Sequence, residues 1–209
     1  MTTLLVPDKD CQKCKRLVKF RNLNRKLFTE WHNSPVPSFG NINSVLLIVG
    51  LAPGLKGANR TGRPFTGDYA GDLLYPTLIK FGWAVGEYNK SIDSNLNLVN
   101  CRITNAVRCV PPQNKPELIE QNNCFGFLNN EIHNLPKLKY IIALGTIAHK
   151  AVIKCFNLKQ KDYKFLHGKE YKLPNNINLF DSYHCSRYNI NTKRLTKEMF
   201  EKIFLNLSR

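Results

Sequence analysis

Four cysteines are spaced in a way that suits a metal site. Cys11 and Cys14 form a CxxC near the start of the chain, and Cys109 and Cys124 form a second, wider pair. Four thiolates suffice for a zinc ion or for an iron–sulfur cluster. The wider pair departs from the two tight CxxC turns of a zinc ribbon, so the spacing alone leaves both metals open.

The other three cysteines have different contexts. Cys101 lies in an apolar strand pattern and Cys155 on the apolar side of a helical pattern, so both are expected in the core. Cys185 directly follows His184 and is harder to assign to the core. The odd total of seven cysteines argues against a disulfide framework.

A glycine-rich stretch, GLAPGLKGANRTGRPFTGD, follows directly on the apolar run SVLLIV. It matches neither the GxGxxG nor the GxxxxGK[ST] pattern of nucleotide-binding loops. Gly54 permits close approach of the backbone to a ligand. Phe65 is the one large apolar residue in the polar run TGRPFTGD, and it fits either a ligand-stacking ring or a plug beneath the loop. The stretch therefore predicts a ligand-binding loop.

Three charged residues of this stretch are further candidates. Arg60 and Arg63 can contact phosphates, although solvated cations are equally common in loops. Asp68 is a candidate catalytic carboxylate. It is also a suitable N-cap for the helix that is predicted to begin just after it.

The chain is strongly basic. It holds 31 Lys and Arg residues against 15 Asp and Glu, a net charge of +16 in 209 residues. Such an excess favours a polyanionic partner, most often a nucleic acid, because phosphate contacts release condensed counterions; solvated surface charge is the alternative. The longest apolar run is too short to cross a bilayer, and the first residues do not resemble a secretory signal. We therefore expect an intracellular protein without membrane association.

The elements that must position these residues alternate between strand and helix. Strand patterns lie at SVLLIV, LNLVNCRITNAV, KYIIAL and NINLFDSYH. Helical patterns lie at residues 15–31, GDLLYPTLIKFG, PELIEQNNCFGFLNNEI, TIAHKAVIKCF and TKEMFEKIFLNL. Pro76 is expected to bend its helix or to mark its first turn, and Pro116 to occupy a first turn.

This alternation predicts an α/β fold. We expect a three-layer α/β/α sandwich with a central, mainly parallel four-stranded sheet, formed by residues 1–209 as a single domain. Ligands of such sheets bind beyond the carboxyl ends of the strands. The loops after LLIV, CRITN, IIALG and NLFDSYH are therefore expected to form the site.

Four motifs follow one another along the chain: GLAPGLKGANRTGRPFTGD, NAVRCVPPQNKP with Cys124 on the helix after it, IIALG, and HCSRYNINTKRLT. They resemble the motifs of type-B uracil-DNA glycosylases, family 5 of that superfamily. The resemblance extends from Cys11 to Thr196, and its first motif is long and specific. It implies that Cys11, Cys14, Cys109 and Cys124 bind a structural 4Fe–4S cluster near the DNA face.

The resemblance also implies a pocket for a base that is flipped out of the DNA stack. Main-chain amides near Gly54 would bind a base carbonyl, and Phe65 would stack on the base. Asn105 would read uracil, because its amide can donate to O4 and accept from N3–H; a strand-end Asn is otherwise often a turn former. His184 would contact uracil O2 and stabilise negative charge on the departing base.

Ser186 and Arg187 follow in a loop that is expected to press into the DNA and contact phosphates. Cys185 stands where the family usually has proline, which bears on the rigidity of this loop. Leu55 stands where type-A relatives have a carboxylate, and it cannot activate water. Asp68 is therefore the remaining acidic candidate for orienting the water.

The expected function is that of a monofunctional DNA glycosylase that hydrolyses the N-glycosidic bond of deoxyuridine and leaves an abasic site. Its partner would be DNA containing uracil or another deaminated base, and the protein would act as a monomer. Two alternatives are a broader glycosylase that also removes hypoxanthine or xanthine, and a basic, metal-stapled nucleic-acid-binding module without catalysis.

Overall fold

A computed structural model describes residues 4–92 and 94–207. The strands are β1 (Phe39–Gly40), β2 (Leu46–Gly50), β3 (Ala84–Val85), β4 (Asn97–Leu98), β5 (Cys101–Asn105), β6 (Tyr140–Leu144), β7 (Glu170–Leu173) and β8 (Ile177–Ser182). The helices are α1 (Lys15–Leu27), α2 (Ala58–Thr61), α3 (Tyr69–Lys80), α4 (Leu118–His133), α5 (Thr146–Cys155), α6 (Arg187–Asn191) and α7 (Lys197–Leu205). Within the described residues, the main sheet has six strands in the order β1-β5-β2-β6-β8-β7, and β3 pairs separately with β4.

The four central strands of the main sheet are parallel. β2 pairs with β5 on one side and with β6 on the other, and β6 pairs with β8. Every residue of β2 and β5 is buried, as expected of strands that helices cover on both faces. The predicted α/β fold with a central, mainly parallel sheet is confirmed.

The predicted count of four strands is wrong, because the sheet has two more at its edges. β1 pairs antiparallel with β5, and β7 pairs antiparallel with β8. β1 is two residues long, and β7 is mostly exposed or half-buried. Edge strands this short or this polar lack the apolar runs that predict the central strands.

Helices cover both faces of the sheet. One core contains Leu74 of α3 and Phe200 of α7. The other contains Leu128 of α4 and Val152 of α5. Successive residues of β2 alternate between these two cores, because side chains of a strand point to opposite faces.

Helix α1 ends earlier than predicted, at Leu27 instead of Trp31. The side-chain amide of Asn33 donates to the carbonyl of Phe28 at 2.6 Å and to that of Asn24 at 3.3 Å. Both carbonyls also accept a backbone N–H, that of Phe28 at Asn24 and that of Trp31 at Phe28. The Asn33 amide therefore adds a second bond to each carbonyl and stabilises the turn that follows the helix.

Neither proline occupies the first turn of its helix. Pro76 lies in the interior of α3, since Asp68 caps that helix eight residues earlier. Pro116 precedes Glu117, the N-cap of α4, and Glu117 forms a capping box with Glu120. The prediction for Pro116 is therefore wrong, because the helix begins at Leu118, two residues after the proline.

In the part of the chain that the structure describes, no helix is both long and apolar enough to span a membrane.

Candidate active site and cysteine cluster

The carboxyl ends of the central strands meet at one edge of the sheet. Gly50 at the end of β2 pairs with Asn105 at the end of β5, and Leu144 of β6 pairs with Ser182 of β8. A cavity of about 640 Å³ lies among the loops at this edge. It is lined by Leu51, Ala52, Pro53, Gly54, Leu55, Lys56, Gly57, Ala58, Phe65, Asp68, Tyr69, Ala70, Asn105, Asn114, His184, Ser186 and Arg187.

This cavity brings together most of the residues that the sequence singles out. They are Gly54, Phe65, Asp68, Asn105, His184, Ser186 and Arg187. Asn105 is the last residue of β5, and the others lie in the segments that follow β2 and β8. The parallel register of the sheet places these segments side by side.

The missing side chain of Gly50 makes room for two of these residues. A Cβ atom at Gly50 would lie 2.3 Å from Oδ1 of Asn105 and 2.7 Å from Cζ of Phe65. Asn105 is buried at the end of β5, and its side chain is held against the backbone of β2. Position 50 must therefore be glycine for the Asn105 amide and the Phe65 ring to lie where they do.

Two glycines of the loop after β2 make room for the carboxylate of Asp68. A Cβ atom would lie 2.2 Å from Oδ2 of Asp68 at Gly57 and 2.9 Å from it at Gly54. The other oxygen, Oδ1, accepts a hydrogen bond from the backbone N–H of Ala70 at 3.2 Å and so caps α3. Burial raises the pKa of the Asp68 carboxyl, against the opposite effect of the backbone N–H groups of Gly71 and Ala70. Asp68 is therefore a helix cap and a cavity-lining carboxylate at once.

Phe65 lines the cavity in an unusual backbone conformation. Its φ of 54° lies in the left-handed region, which bulky residues rarely adopt. Its ring stacks near the imidazole of His184, with 5.9 Å between the ring centroids. The carbonyl of Phe65 accepts a hydrogen bond from the hydroxyl of Tyr88 at 3.3 Å. A Cβ atom at Gly71 would lie 2.0 Å from that carbonyl oxygen, so this glycine permits the arrangement.

His184 lies two residues after the end of β8 and lines the cavity beside Phe65. Burial lowers the pKa of His184 to about 4. The imidazole is therefore neutral at pH 7, with one ring nitrogen that donates and one that accepts.

The segment after His184 is held by the core and by hydrogen bonds. Cys185 is fully buried and packs in the same core as α3 and α7. Asn189 donates from its side chain to the carbonyl of His184 at 2.8 Å, and its backbone N–H donates to Oγ of Ser186 at 3.4 Å. A buried thiol thus anchors this segment, at the position where the resemblance leads us to expect proline.

Among the lining residues that the sequence does not single out, three have polar side chains: Lys56, Tyr69 and Asn114. The guanidinium of Arg187 lies 5.2 Å from the centroid of the Tyr69 ring. Asn114 has a φ of 56° and lies in the loop after β5, which the sequence does mark as part of the site. Its loop membership is the one available signal, since Asn at a left-handed position is common in any turn.

The two arginines of the glycine-rich stretch do not line the cavity. Arg60 is exposed, and its Nε donates to the carbonyl of Lys56 at 3.0 Å. Arg63 is buried, with its guanidinium bonded to Oγ1 of Thr66 at 3.0 Å and to Oγ of Ser94 at 2.8 Å. Arg63 therefore joins two loops from inside, a placement that does not favour the predicted phosphate contact.

The four cysteines of the predicted metal site line one small cavity of about 10 Å³ beside α1. N–H groups approach three of the sulfur atoms. These contacts are Arg108 N to Cys124 Sγ at 3.3 Å, Asn123 Nδ2 to Cys14 Sγ at 3.6 Å and Arg21 Nη1 to Cys109 Sγ at 3.9 Å. Burial raises the pKa of Cys109 to about 12 and that of Cys124 to about 11, so binding as thiolates requires compensating positive charge.

No group of three or more His, Cys, Asp or Glu side chains among the described residues is arranged to hold a single metal ion. The four cysteines nevertheless line the same small cavity. Four sulfur donors around one space, with N–H groups directed at them, fit a multi-iron cluster bound by thiolates.

The fold and the cavity define an α/β protein with a cavity beyond the carboxyl ends of a parallel sheet. The sequence model of the Uracil DNA glycosylase superfamily matches residues 37–208. The chain is 41% identical over 204 residues to a type-5 uracil-DNA glycosylase of Thermus thermophilus, which covers 95% of this chain and 93% of the relative. It is 35% identical over 198 residues to a type-5 uracil-DNA glycosylase of Pyrobaculum aerophilum, with 93% and 86% covered.

A type-4 uracil-DNA glycosylase of Pyrobaculum aerophilum is 32% identical over 164 residues, covering 78% of this chain and 74% of the relative. The chain belongs to the uracil-DNA glycosylase superfamily. The resemblance to family 5 that its motifs carry is confirmed.

Proposed function

We propose that the protein is a DNA glycosylase that removes uracil from DNA by hydrolysing its N-glycosidic bond. The observation that supports this most directly is the cavity at the carboxyl edge of the sheet. It combines an aromatic ring, a strand-end amide, a carboxylate and a neutral imidazole within one space. These are the groups that a flipped base and a departing uracil anion require.

Base binding uses the first half of this set. Phe65 stacks on the flipped uracil from the wall that it shares with His184. The amide of Asn105 donates to O4 and accepts from N3–H, and main-chain amides near Gly54 bind a base carbonyl. The contacts between Gly50, Asn105 and Phe65 hold the amide and the ring in fixed relative positions before the base arrives.

The chemical step uses His184 and Asp68. Cleavage of the glycosidic bond places negative charge on uracil O2 and positive charge on the sugar. The neutral imidazole of His184 donates its N–H to O2, and one such donor contributes about 10²–10³ in rate. The carboxylate of Asp68 orients the attacking water and stabilises the sugar cation. We assign both roles to Asp68 because the apolar side chain of Leu55 can fill neither.

The four cysteines Cys11, Cys14, Cys109 and Cys124 would hold a 4Fe–4S cluster. When bound, the cluster supplies a structural cross-link between the start of α1, the loop after β5 and α4. The hydrolysis itself needs no redox step.

We propose further that residues 1–209 act as a single domain, as a monomer, and inside the cell, where the DNA substrate lies. The net charge of +16 supports binding to the DNA backbone. Ser186 and Arg187, beside the cavity, would contact phosphates next to the flipped nucleotide.

A labelled oligonucleotide with a single uracil tests the glycosylase function. The protein should leave an abasic site that alkali converts to a strand break, whereas the matched oligonucleotide with thymine should stay intact. A parallel reaction without alkali is needed, because Lys56 lines the cavity and a lysine can form a Schiff base with an abasic sugar. Strand breaks in the uracil oligonucleotide without alkali would contradict a monofunctional enzyme. If the uracil oligonucleotide stayed intact both with and without alkali, the protein would be a binding module without catalysis.

A further inference from the structure

We propose that the outer face of α1 binds the phosphate backbone of the DNA that flanks the uracil, a role that presupposes the DNA glycosylase activity proposed above. The α1 lysine face consists of Lys15, Lys19 and Lys26. All three side chains are exposed. They border a shallow surface groove together with two polar residues, Gln12 and Asn22, and two apolar ones, Val18 and Leu23.

The arginines of α1 are bound to the protein itself. Arg16 forms a charged pair with Glu120, with 2.7 Å between Nη2 and Oε2. Arg21 is buried and donates to the carbonyl of Cys11 at 3.0 Å. Arg25 pairs with the carboxylate of Asp10. Each of the three guanidinium groups is therefore already bound by another group of the protein.

The lysines of α1 have no such role. Within the described residues, none of the three forms an ion pair with a carboxylate. The sequence of α1, KRLVKFRNLNRKL, contains no Asp or Glu that could neutralise them. The outer face of the helix is therefore a site of uncompensated positive charge, which is complementary to a polyanion.

The spacing of the three lysines suits a row of phosphates. Intervals of four and seven residues place them on one side of a helix, about 6 Å and 10 Å apart along its axis at 1.5 Å per residue. A DNA strand carries one phosphate per about 3.4 Å of duplex axis. One rigid helix face can thus contact several phosphates of the same duplex.

Helix α1 is also fixed to segments that line the cavity. Arg16 donates to the carbonyl of Lys115 at 3.0 Å, next to the cavity residue Asn114. After the helix ends, the backbone N–H of Asn33 donates to the carbonyl of Asn59 at 3.1 Å, next to the cavity residue Ala58. DNA bound along the lysine face would therefore be held in a fixed relation to the cavity.

The test compares two triple variants of equal charge change. One replaces Lys15, Lys19 and Lys26 by Gln. The control replaces Lys137, Lys139 and Lys159 by Gln. These three lysines are exposed, two of them just before β6 and the third just after α5. They lie at the opposite edge of the sheet from the cavity. Binding is measured by fluorescence anisotropy on a duplex that contains a non-hydrolysable abasic-site analogue, from 50 to 200 mM NaCl.

The plot of log affinity against log salt has a negative slope, and the α1 variant should make it shallower by about 2 to 3. Each phosphate contact that is lost removes about 0.9 from the steepness of the slope. The control variant should change that slope by less than one contact. A charge reversal, Lys19→Glu, should weaken binding more than Lys19→Gln. Equal slopes in the α1 and control variants would overturn the proposal, including the case in which the face serves an acidic protein instead of DNA.

Uracil excision separates this proposal from the function on which it rests. At saturating protein, single-turnover excision should be the same within about twofold in the wild type and both variants, because none of the six lysines lines the cavity. If the wild-type protein excised no uracil, the glycosylase function would be wrong, and the anisotropy comparison would still decide whether α1 binds DNA.

Discussion

At the scale of single residues, the cavity holds side chains in states that are unfavourable in isolation. Phe65 has a left-handed backbone, burial raises the pKa of Asp68, and burial lowers the pKa of His184 to about 4. Strained backbones and perturbed pKa values cluster at functional sites. Each costs free energy of folding, so it is retained mainly where function requires it. All three residues line the same cavity.

Asp68→Asn should lower single-turnover excision at least tenfold, because positioned acid–base groups typically contribute about 10²–10⁴ in rate. Asn is also a good N-cap, so the melting temperature should change little. The wild-type rate should fall as the pH drops through the raised pKa of Asp68, since in the proposed mechanism only the ionised carboxylate orients the water. Burial lowers the pKa of His184 to about 4, so the two groups are separated by comparison with Asp68→Asn, which keeps His184 but has no titrating carboxyl at position 68.

The pH profile of Asp68→Asn serves as the check on this assignment. Its residual rate should not depend on pH between 5 and 8, measured by quenched-flow excision of a uracil oligonucleotide. A variant with the wild-type rate and the wild-type acid limb would show that Asp68 is only a helix cap.

Asn105→Ala should reduce uracil excision far more than DNA affinity, because in the proposed complex the amide contacts the flipped base and not the DNA backbone. Asn105→Asp should do the same, since a carboxylate cannot donate to O4. Anisotropy on duplex DNA gives the affinity, and single-turnover kinetics give the excision rate. An excision rate that stayed unchanged in either variant would remove Asn105 from base recognition.

At the scale of elements, the backbone of the glycine-rich stretch packs closely against neighbouring side chains and forms one side of the cavity. Its glycines let Asn105, Phe65 and Asp68 approach the backbone more closely than any Cβ would allow. This explains why the stretch fits no phosphate-binding pattern: its glycines serve neighbouring side chains of the protein.

Gly57→Ala should therefore displace Asp68 and lower excision at least tenfold, because the new Cβ would lie 2.2 Å from Oδ2. Gly126→Ala is the matched control, since a Cβ atom there meets nothing within 4 Å. It lies inside α4, where replacing Gly by Ala stabilises a helix by about 1 kcal/mol, so its melting temperature should rise by a few degrees at unchanged activity. Equal activity of the two variants would contradict the packing argument.

At the scale of the whole molecule, a buried network connects the cysteines to the catalytic edge of the sheet. Glu131 of α4 pairs with Arg108, which directly precedes Cys109. The same carboxylate accepts hydrogen bonds from Arg102 at 2.6 Å and from Thr104 at 2.9 Å, both on β5. β5 carries Asn105 at its end, so the cysteine loop and the pocket amide share one rigid support.

Replacing Cys109 or Cys124 by Ser should cost iron and stability together, because cluster binding is coupled to the structure of its ligand segments. The anaerobically purified wild type should be coloured and contain about four iron atoms per chain. Cys155→Ser and Cys185→Ser, which replace cysteines of the two cores, should keep the iron. Iron analysis and thermal melting measure both effects, and a colourless zinc-containing wild type would contradict the cluster.

The sequence by itself determined the class of fold and most of the candidate site. Apolar runs such as LLIV and YIIAL predict buried parallel strands, because burial on both faces demands continuous apolar residues. Loops at the carboxyl ends of such strands must lie together, so Asp68, Asn105 and His184 could be assigned to one place before any coordinates.

Only the tertiary structure decided the details that depend on which surfaces meet. Arg63 points inward because Thr66 and Ser94 offer its guanidinium partners inside the fold, which its loop sequence does not reveal. Asn114 reaches the cavity through the course of its loop, and the edge strands β1 and β7 form only because a neighbouring strand supplies their hydrogen bonds. A local pattern reports the burial of a segment, but the identity of its neighbours is set by chain segments far away in the sequence.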